Sequence, residues 1–138
     1  MRTLLHVVFL FFSLLLVSVA YAAPTPPDDD VSMEVIAKAI NDGDAATLAN
    51  YLDATVDITV IDKEGSYDKS NATRVLKDFF AAQKPKSFTQ MHSGTPKGKD
   101  AQYVIGTLQT ATSSFRVYVY MKTQGDKTLI QEMRFEKA

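Results

Sequence analysis

The chain contains no cysteine and no tryptophan, and only two of its 138 residues are histidine. Without cysteine it has no disulfide bond, no thiolate metal site and no thiol nucleophile. The two histidines, His6 and His92, stand in no spaced cluster of carboxylates of the kind that holds a transition metal. We therefore expect no metal site, no cofactor and a fold that is stabilised by its apolar core alone.

The sequence also lacks a strong excess of charge of either sign. The first 22 residues contain one charged side chain, Arg2, and the rest of the chain has 14 basic and 16 acidic residues. A nearly neutral chain offers no electrostatic footprint for nucleic acid and no basic patch for anionic lipid. We therefore expect neither as a partner.

Charge is absent from the apolar run that opens the chain. Residues 4–19 contain no Asp, Glu, Lys or Arg, and Ala20-Tyr21-Ala22 follows as a small-x-small cleavage site. A membrane-spanning helix needs about 20 apolar residues, and this run is shorter. We predict a signal peptide over residues 1–22, cleaved between Ala22 and Ala23. The product is expected in the periplasm or secreted, with no stable membrane anchor.

A single folded domain is predicted over residues 32–138, after a flexible Pro/Asp tether at residues 23–31. Ser32 is the predicted N-cap of a first helix, which ends at Gly43 because glycine suits the left-handed position after a helix. Asp44 then caps a second helix. The domain therefore opens with two short helices.

Helical and strand periods alternate in the rest of the domain. Val56, Ile58 and Val60 alternate with polar residues and predict a strand, and residues 63–66 predict a turn. A third helix has one apolar face: Ala72, Val75, Leu76, Phe79 and Phe80. Four strands follow, approximately over residues 87–93, 101–110, 115–122 and 128–135. The order α-α-β-α-β-β-β-β and the short turns predict an α+β domain, with helices packed on an antiparallel sheet.

The last two strands are predicted to have one apolar and one mixed face. The helix-facing residues are Phe115, Val117, Val119, Met121, Leu129, Gln131, Met133 and Phe135. The outward residues are Arg116, Tyr118, Tyr120, Lys122, Ile130, Glu132, Arg134 and Glu136. Gln131 is the polar exception, and it either bonds a backbone group or faces a cavity with ligand or water. The outer face is either a solvated sheet with cross-strand ion pairs or a partner surface made by Arg116, Tyr118, Tyr120 and Arg134.

One segment matches a short signature of cystatin protease inhibitors. Gln102-Tyr103-Val104-Ile105-Gly106 has the form Gln-x-Val-x-Gly. Cystatins use this segment as an exposed loop wedge, and their second wedge usually carries a tryptophan, which this chain lacks. The segment here also alternates as a strand, which favours a chance match. A cystatin-like inhibitor stays as an alternative.

Taken in order, the motifs of the domain resemble those of a known family. They are Gly43-Asp44-Ala45, residues 72–80, His92-Ser93-Gly94, residues 102–108, residues 115–118 and residues 130–134. The chain resembles an uncharacterised family of exported bacterial proteins, a domain of unknown function within the nuclear transport factor 2-like (cystatin-like) superfamily. The resemblance implies a cone-like fold in which helices pack on a curved antiparallel β-sheet. It also implies that the sheet is a candidate dimer interface.

Enzymes of that superfamily set Asp, His or Tyr side chains within the cone. Asp57, His92 and Tyr103 are the residues of this chain that carry such groups, but their spacing matches no enzyme motif. We therefore predict an exported, non-enzymatic domain that binds a small apolar ligand or a protein partner, with a homodimer through the sheet as one form of the latter. The candidate ligand-binding residues are His92, Tyr103 and Gln131. A small isomerase- or cyclase-like enzyme in the cone pocket is a further alternative.

Overall fold

The computed structural model describes residues 29–96 and 100–138. The predicted signal peptide, its cleavage site at Ala22 and Ala23, and the first part of the predicted tether lie outside the described residues. The helices are α1 (Asp29–Asp42), α2 (Ala45–Ala49) and α3 (Lys69–Ala82). Within the described ranges, no helix has the length and apolar character needed to cross a membrane.

Six strands form one sheet. They are β1 (Leu52–Val60), β2 (Lys63–Asp68), β3 (Pro85–Gly94), β4 (Ala101–Thr110), β5 (Ser114–Gln124) and β6 (Lys127–Lys137). Their order across the sheet is β2-β1-β6-β5-β4-β3. The pairing of β1 with β6 is parallel and all other pairings are antiparallel. The α+β class and the order of the predicted helices and strands are confirmed, β2 is an additional strand between β1 and α3, and the sheet is mixed rather than wholly antiparallel.

Strand β2 corrects the prediction of a turn over residues 63–66. It pairs with β1 from Thr55 opposite Asp68 to Val60 opposite Lys63, and its side chains are largely exposed. The turn itself is at residues 61–62, where Ile61 has a positive φ of 59°. An exposed polar strand has no apolar alternation, and isoleucine rarely adopts that backbone conformation, so the sequence carried no signal for this hairpin.

The helix boundaries follow local capping. Helix α1 begins at Asp29, so Ser32 lies inside it rather than at its N-cap as predicted. Gly43 has a φ of +65°, as expected for a residue that ends a helix. The Asp44 carboxylate caps α2 by accepting hydrogen bonds from the Thr47 hydroxyl (2.6 Å) and the Thr47 N–H (3.0 Å). These two bonds lower the pKa of Asp44.

Four phenylalanines fill the space between the helices and the sheet. The Phe79 ring of α3 packs against the rings of Phe80, Phe115 and Phe135 in tilted or edge-to-face geometry, with ring centroids 5.6, 5.3 and 4.6 Å apart. Around them the predicted inward residues of β5 are all fully buried: Phe115, Val117, Val119 and Met121. The interior of the cone is therefore an apolar core filled by side chains.

A bulge in β6 overturns part of the predicted alternation. Glu132 pairs with Tyr120 and Ile130 pairs with Met121, so Gln131 is an extra residue without an opposite partner. The extra residue turns Ile130 into the core, where it is fully buried, whereas Leu129 and Gln131 are half-buried. Ile130 was predicted to face outward, and Leu129 and Gln131 to face the helices. All three predictions are wrong because the bulge breaks the period of two.

Candidate functional site

The core formed by the described residues contains no ionisable side chain for acid–base chemistry. Among the described residues, the buried polar side chains are those of Gln102 and Thr110, and neither is ionisable. Isomerases of the cone-shaped type need a carboxyl or phenol with a perturbed pKa inside the cavity. The four phenylalanine rings occupy that space here. Nor do the described residues contain a group of three or more side chains arranged to hold a metal ion.

The three residues considered for an enzyme site are not brought together. Asp57 lies on β1, where its carboxylate accepts a hydrogen bond from the Ser66 hydroxyl. His92 lies on β3, which is four strands away from β1 in the order β1-β6-β5-β4-β3. At about 4.8 Å per strand, this is about 19 Å across the sheet. Tyr103 is on β4, one strand from His92. Asp57 therefore belongs to a different part of the surface from the other two.

The outer face of the sheet carries a row of aromatic side chains in register. Tyr103 is opposite Tyr120, Ile105 is opposite Tyr118, and Tyr118 is opposite Arg134. We call these five residues the tyrosine patch. All but Arg134 are half-buried. Beside the patch, His92 is opposite Ile105, and Met91, which is the extra residue of a bulge in β3, is 61% exposed.

Arg134 is held in place by its neighbours. Its guanidinium pairs with the Glu132 carboxylate and lies 5.7 Å from the centroid of the Tyr118 ring, which is within the range of a cation–π contact. The hydrogen bond to Glu132 raises the pKa of Arg134, while burial, followed by the charge of Glu132, raises the pKa of the Tyr118 phenol. The patch thus has one oriented cation, which lies against the ring of a tyrosine whose phenol is kept neutral.

The four residues predicted as a partner interface all lie on this face. Arg116 is opposite Glu136 at one end of the face, and Tyr118, Tyr120 and Arg134 belong to the patch. Their outward orientation is as predicted.

The three predicted ligand-binding residues do not share a cavity. The exposed His92 and the half-buried Tyr103 lie on adjacent strands of the outer face. The Tyr103 ring covers Gly94, where a Cβ atom would lie 3.0 Å from the Tyr103 hydroxyl oxygen. Gln131 lies two strands away and donates a hydrogen bond of 3.1 Å to Asp53. Of the two alternatives predicted for Gln131, the bond to a backbone group is replaced by this bond to a carboxylate.

The cystatin-like segment is part of the sheet. Residues 102–106 lie within β4, which pairs with β3 on one side and β5 on the other. Gln102 is buried, and a Cβ on Gly106 would lie 2.5 Å from the Phe88 ring. Gly106 therefore leaves room for the Phe88 ring to pack against β4, and it does not form an exposed wedge. The structure therefore supports a chance match to the cystatin signature.

Two cavities were not predicted, because each forms where separate helices and strands pack against one another. An apolar pocket of about 260 Å³ lies between the β1–β2 hairpin and α3, lined by Ile58, Val60, Lys63, Tyr67, Val75, Asp78 and Phe79. A larger cleft of about 600 Å³ lies where α2, β1, α3 and the β5–β6 turn meet. The one sequence signal that pointed to the cleft is Gln131, the polar residue in an apolar pattern, which bonds Asp53 on the cleft wall.

Comparison with known proteins assigns the chain to a family. The family described as domain of unknown function DUF4783 matches residues 33–136. The crystal structure of a DUF4783 family protein from Bacteroides uniformis ATCC 8492 is 30% identical in sequence and has a TM-score of 0.72, covering 76% of this chain and 95% of that one. A DUF4783 family protein from Bacteroides ovatus ATCC 8483 is 28% identical, with a TM-score of 0.71 over 75% of this chain and 93% of that one.

More distant structures share the fold alone. An NTF2-like protein of unknown function from Silicibacter pomeroyi DSS-3 is 11% identical, with a TM-score of 0.55 over 79% of this chain and 92% of that one. No curated protein matches the chain. The sequence motifs indicated a family of unknown function with the nuclear transport factor 2-like fold. This is confirmed, and the chain belongs to the DUF4783 family.

Proposed function

We propose that this protein is an exported, non-enzymatic binding domain that associates with a second copy of itself through the outer face of the sheet. The observation that carries the proposal is the tyrosine patch, in which three tyrosines and an isoleucine stand in cross-strand register beside the exposed Met91. Tyrosine, methionine and arginine are enriched in protein interfaces. A surface of this composition is better suited to another protein than to water.

Charge complementarity favours a second copy as the partner. Three cations and three anions lie in or beside the patch on β1, β5 and β6: Arg116, Lys122, Arg134, Asp57, Glu132 and Glu136. A two-fold axis places the same surface on itself, so a face of one sign would repel its copy. A face with equal numbers of both signs allows each cation to meet an anion of the other copy.

The size of the face is also compatible with a dimer. Strands β3 to β6 are each ten or eleven residues long. At about 3.3 Å per residue and about 4.8 Å per strand, they present a flat area of roughly 600 Å². A standard interface buries roughly 800 Å² of accessible surface on each partner, and accessible surface exceeds flat area because side chains project. The face is therefore large enough.

Analytical ultracentrifugation tests the proposal. The purified protein is expected to sediment as a dimer at micromolar concentrations, and the double variant Ile105→Asp with Tyr118→Asp is expected to be monomeric, because two buried carboxylates at an interface core are costly. Thr55→Asp, at an exposed position on β1 outside the patch, is the control and should remain dimeric. A wild-type protein that stays monomeric at about 100 μM would contradict the proposal. Its free energy of association would then be weaker than roughly −5.5 kcal/mol.

Binding of a small apolar ligand is a second candidate function, and the apolar pocket beneath the β1–β2 hairpin favours it. Its walls are Ile58, Val60, Tyr67, Val75 and Phe79. Octanol added to isotope-labelled protein should shift the amide signals of these residues, and Val75→Phe should remove the effect by filling the pocket. Lys77→Phe, at an exposed position on the same helix, is the matched control. Shifts that do not cluster around the pocket would contradict this function.

Export is supported by the uncharged run over residues 4–19 and the small residues that follow it. Intact-mass analysis of the protein released by its own host should give a chain that begins at Ala23. A mass that retains residues 1–22 would contradict the predicted cleavage.

A further inference from the structure

The larger cleft lies at the point where two neighbouring strands lose register together. Along β1 and β6, Leu52 is paired with Ile130 and the next pair is Asp57 with Glu132. Four residues of β1 therefore stand against one residue of β6, Gln131, which is itself the bulge residue toward β5. Bulges re-aim side chains and are enriched next to binding sites. This double break turns Asp53 out of the ladder.

Three donors hold the Asp53 carboxylate in one orientation. The Ala54 N–H donates to Oδ1 at 2.7 Å, and the amide groups of Gln124 and Gln131 donate to Oδ2 at 2.9 and 3.1 Å. The Ala54 bond and the two amides lower the pKa of Asp53, so it is ionised at neutral pH. Among the described residues, Oδ2 accepts two bonds and Oδ1 accepts one, which leaves Oδ1 with a further acceptor position.

The rest of the cleft combines apolar surface with donors and acceptors of both kinds. Its walls are Asn50, Tyr51, Leu52, Asp53, Ala54, Lys69, Asp126, Lys127, Thr128 and Leu129. Two lysines and two aspartates give it no net charge, so neither an anion nor a cation is preferred. The half-buried Tyr51 and Leu129 supply an apolar wall between the polar groups. Its volume of about 600 Å³ lies within the range of small-molecule sites, roughly 300–1,000 Å³.

From these features we infer that the cleft binds an uncharged, hydroxyl-rich ligand, which is the chemistry of a saccharide. Each hydroxyl group both donates and accepts a hydrogen bond, so it pairs equally with the Asp53 carboxylate and with the Lys69 or Lys127 ammonium. The C–H face of a sugar ring is apolar and fits against Tyr51. The site is separate from the tyrosine patch and does not depend on the function proposed above.

A titration observed by amide NMR tests this inference. Maltose, cellobiose, xylobiose and chitobiose are added separately to the isotope-labelled protein, with inorganic phosphate and glycylglycine as charged probes. At least one disaccharide is expected to cause saturable shifts at the amides of Tyr51, Ala54 and Thr128, and the charged probes are expected to leave them unchanged. The inference is overturned if no disaccharide shifts these amides. It is equally overturned if phosphate or glycylglycine shifts them as strongly, because the cleft would then select a charged ligand.

Two variants separate binding from folding. The double variant Asp126→Ala with Lys127→Ala changes only exposed groups on the β5–β6 turn, and it should weaken disaccharide binding about tenfold through lost hydrogen bonds. Asp53→Asn should weaken it further, because the oriented acceptor is exchanged for an amide. Asp62→Ala, on the exposed turn between β1 and β2, is the matched control and should bind as the wild type does. Unchanged affinity in both cleft variants would overturn the assignment.

Discussion

The two faces of the sheet differ in what holds their side chains. On the helix side, residues such as Val117, Val119 and Met133 are fully buried and interchangeable in chemistry, and only their volumes must fit. On the outer side, Tyr118, Glu132 and Arg134 are fixed by a cation–π contact and an ion pair. The inner face therefore stabilises the fold, whereas the outer face keeps oriented polar groups at little cost to stability. The outer face is the one on which we propose that a partner binds.

Truncation of an inner aromatic side chain should have the largest effect. Phe79→Ala removes the ring that contacts Phe80, Phe115 and Phe135, and it should lower the free energy of unfolding by about 3–5 kcal/mol. Arg116→Ala, at an exposed position on the outer face, should change it by about 0.5 kcal/mol or less. Urea denaturation of both variants measures the difference. Equal losses would break the contrast between the faces.

A methyl group added to one glycine on each face should have unequal effects. In Gly106→Ala the new Cβ would lie 2.5 Å from the Phe88 ring and 2.6 Å from the Thr89 carbonyl oxygen, and backbone cannot move aside. Such overpacking costs about 1–3 kcal/mol. In Gly94→Ala the nearest atoms, at 3.0–3.1 Å, belong to the Tyr103 side chain, which can turn toward solvent. Thermal unfolding should therefore place the midpoint of Gly106→Ala below that of Gly94→Ala, and the reverse order would contradict this account.

The smallest effect is expected at Asp53, where the inner and outer alternation breaks down. Asp53→Asn should cost about 1 kcal/mol at neutral pH, since the charged acceptor is lost at a partly solvated site. The pKa of Asp53 is lower in the folded chain, so its contribution is complete above its unfolded value of about 3.9 and is lost as the pH falls through the folded value. Denaturation from pH 7 to 3 should show the wild type and the variant converging below about pH 4. A constant difference would contradict the role given to the carboxylate.

How far a pattern predicts structure here depends on whether its cause is local. The stripe from Ala72 to Phe80 predicted helix α3, and the alternation of Phe115 to Met121 predicted the inner face of β5, because both follow from the period of the backbone itself. Strand β2 was missed because its residues are largely exposed and it lies at the edge of the sheet, beside β1. The prediction for Ile130 failed because a bulge depends on the register with a neighbouring strand, which no single segment encodes.

The candidate sites divide in the same way. The outward direction of Arg116, Tyr118, Tyr120 and Arg134 could be predicted, since side-chain alternation along one strand is enough. The cleft at Asp53 could not, because its carboxylate is held by Gln124 and Gln131, more than 70 residues away along the chain. Gln131 gave a partial signal as a polar residue in an apolar pattern, but its partner was not identifiable.

The sequence by itself determined the α+β class, the order of the three helices and of every described strand except β2, the apolar face of α3 and the family, because composition, local period and motif order are properties of the chain alone. Only the tertiary structure decided that β1 lies parallel to β6, that four phenylalanines fill the cone, and that Asp53 faces a cleft. Each of these features depends on contacts between residues that are distant in sequence. Such contacts are set by the shapes of the packed elements and by the register of the strands, which residue type alone does not specify.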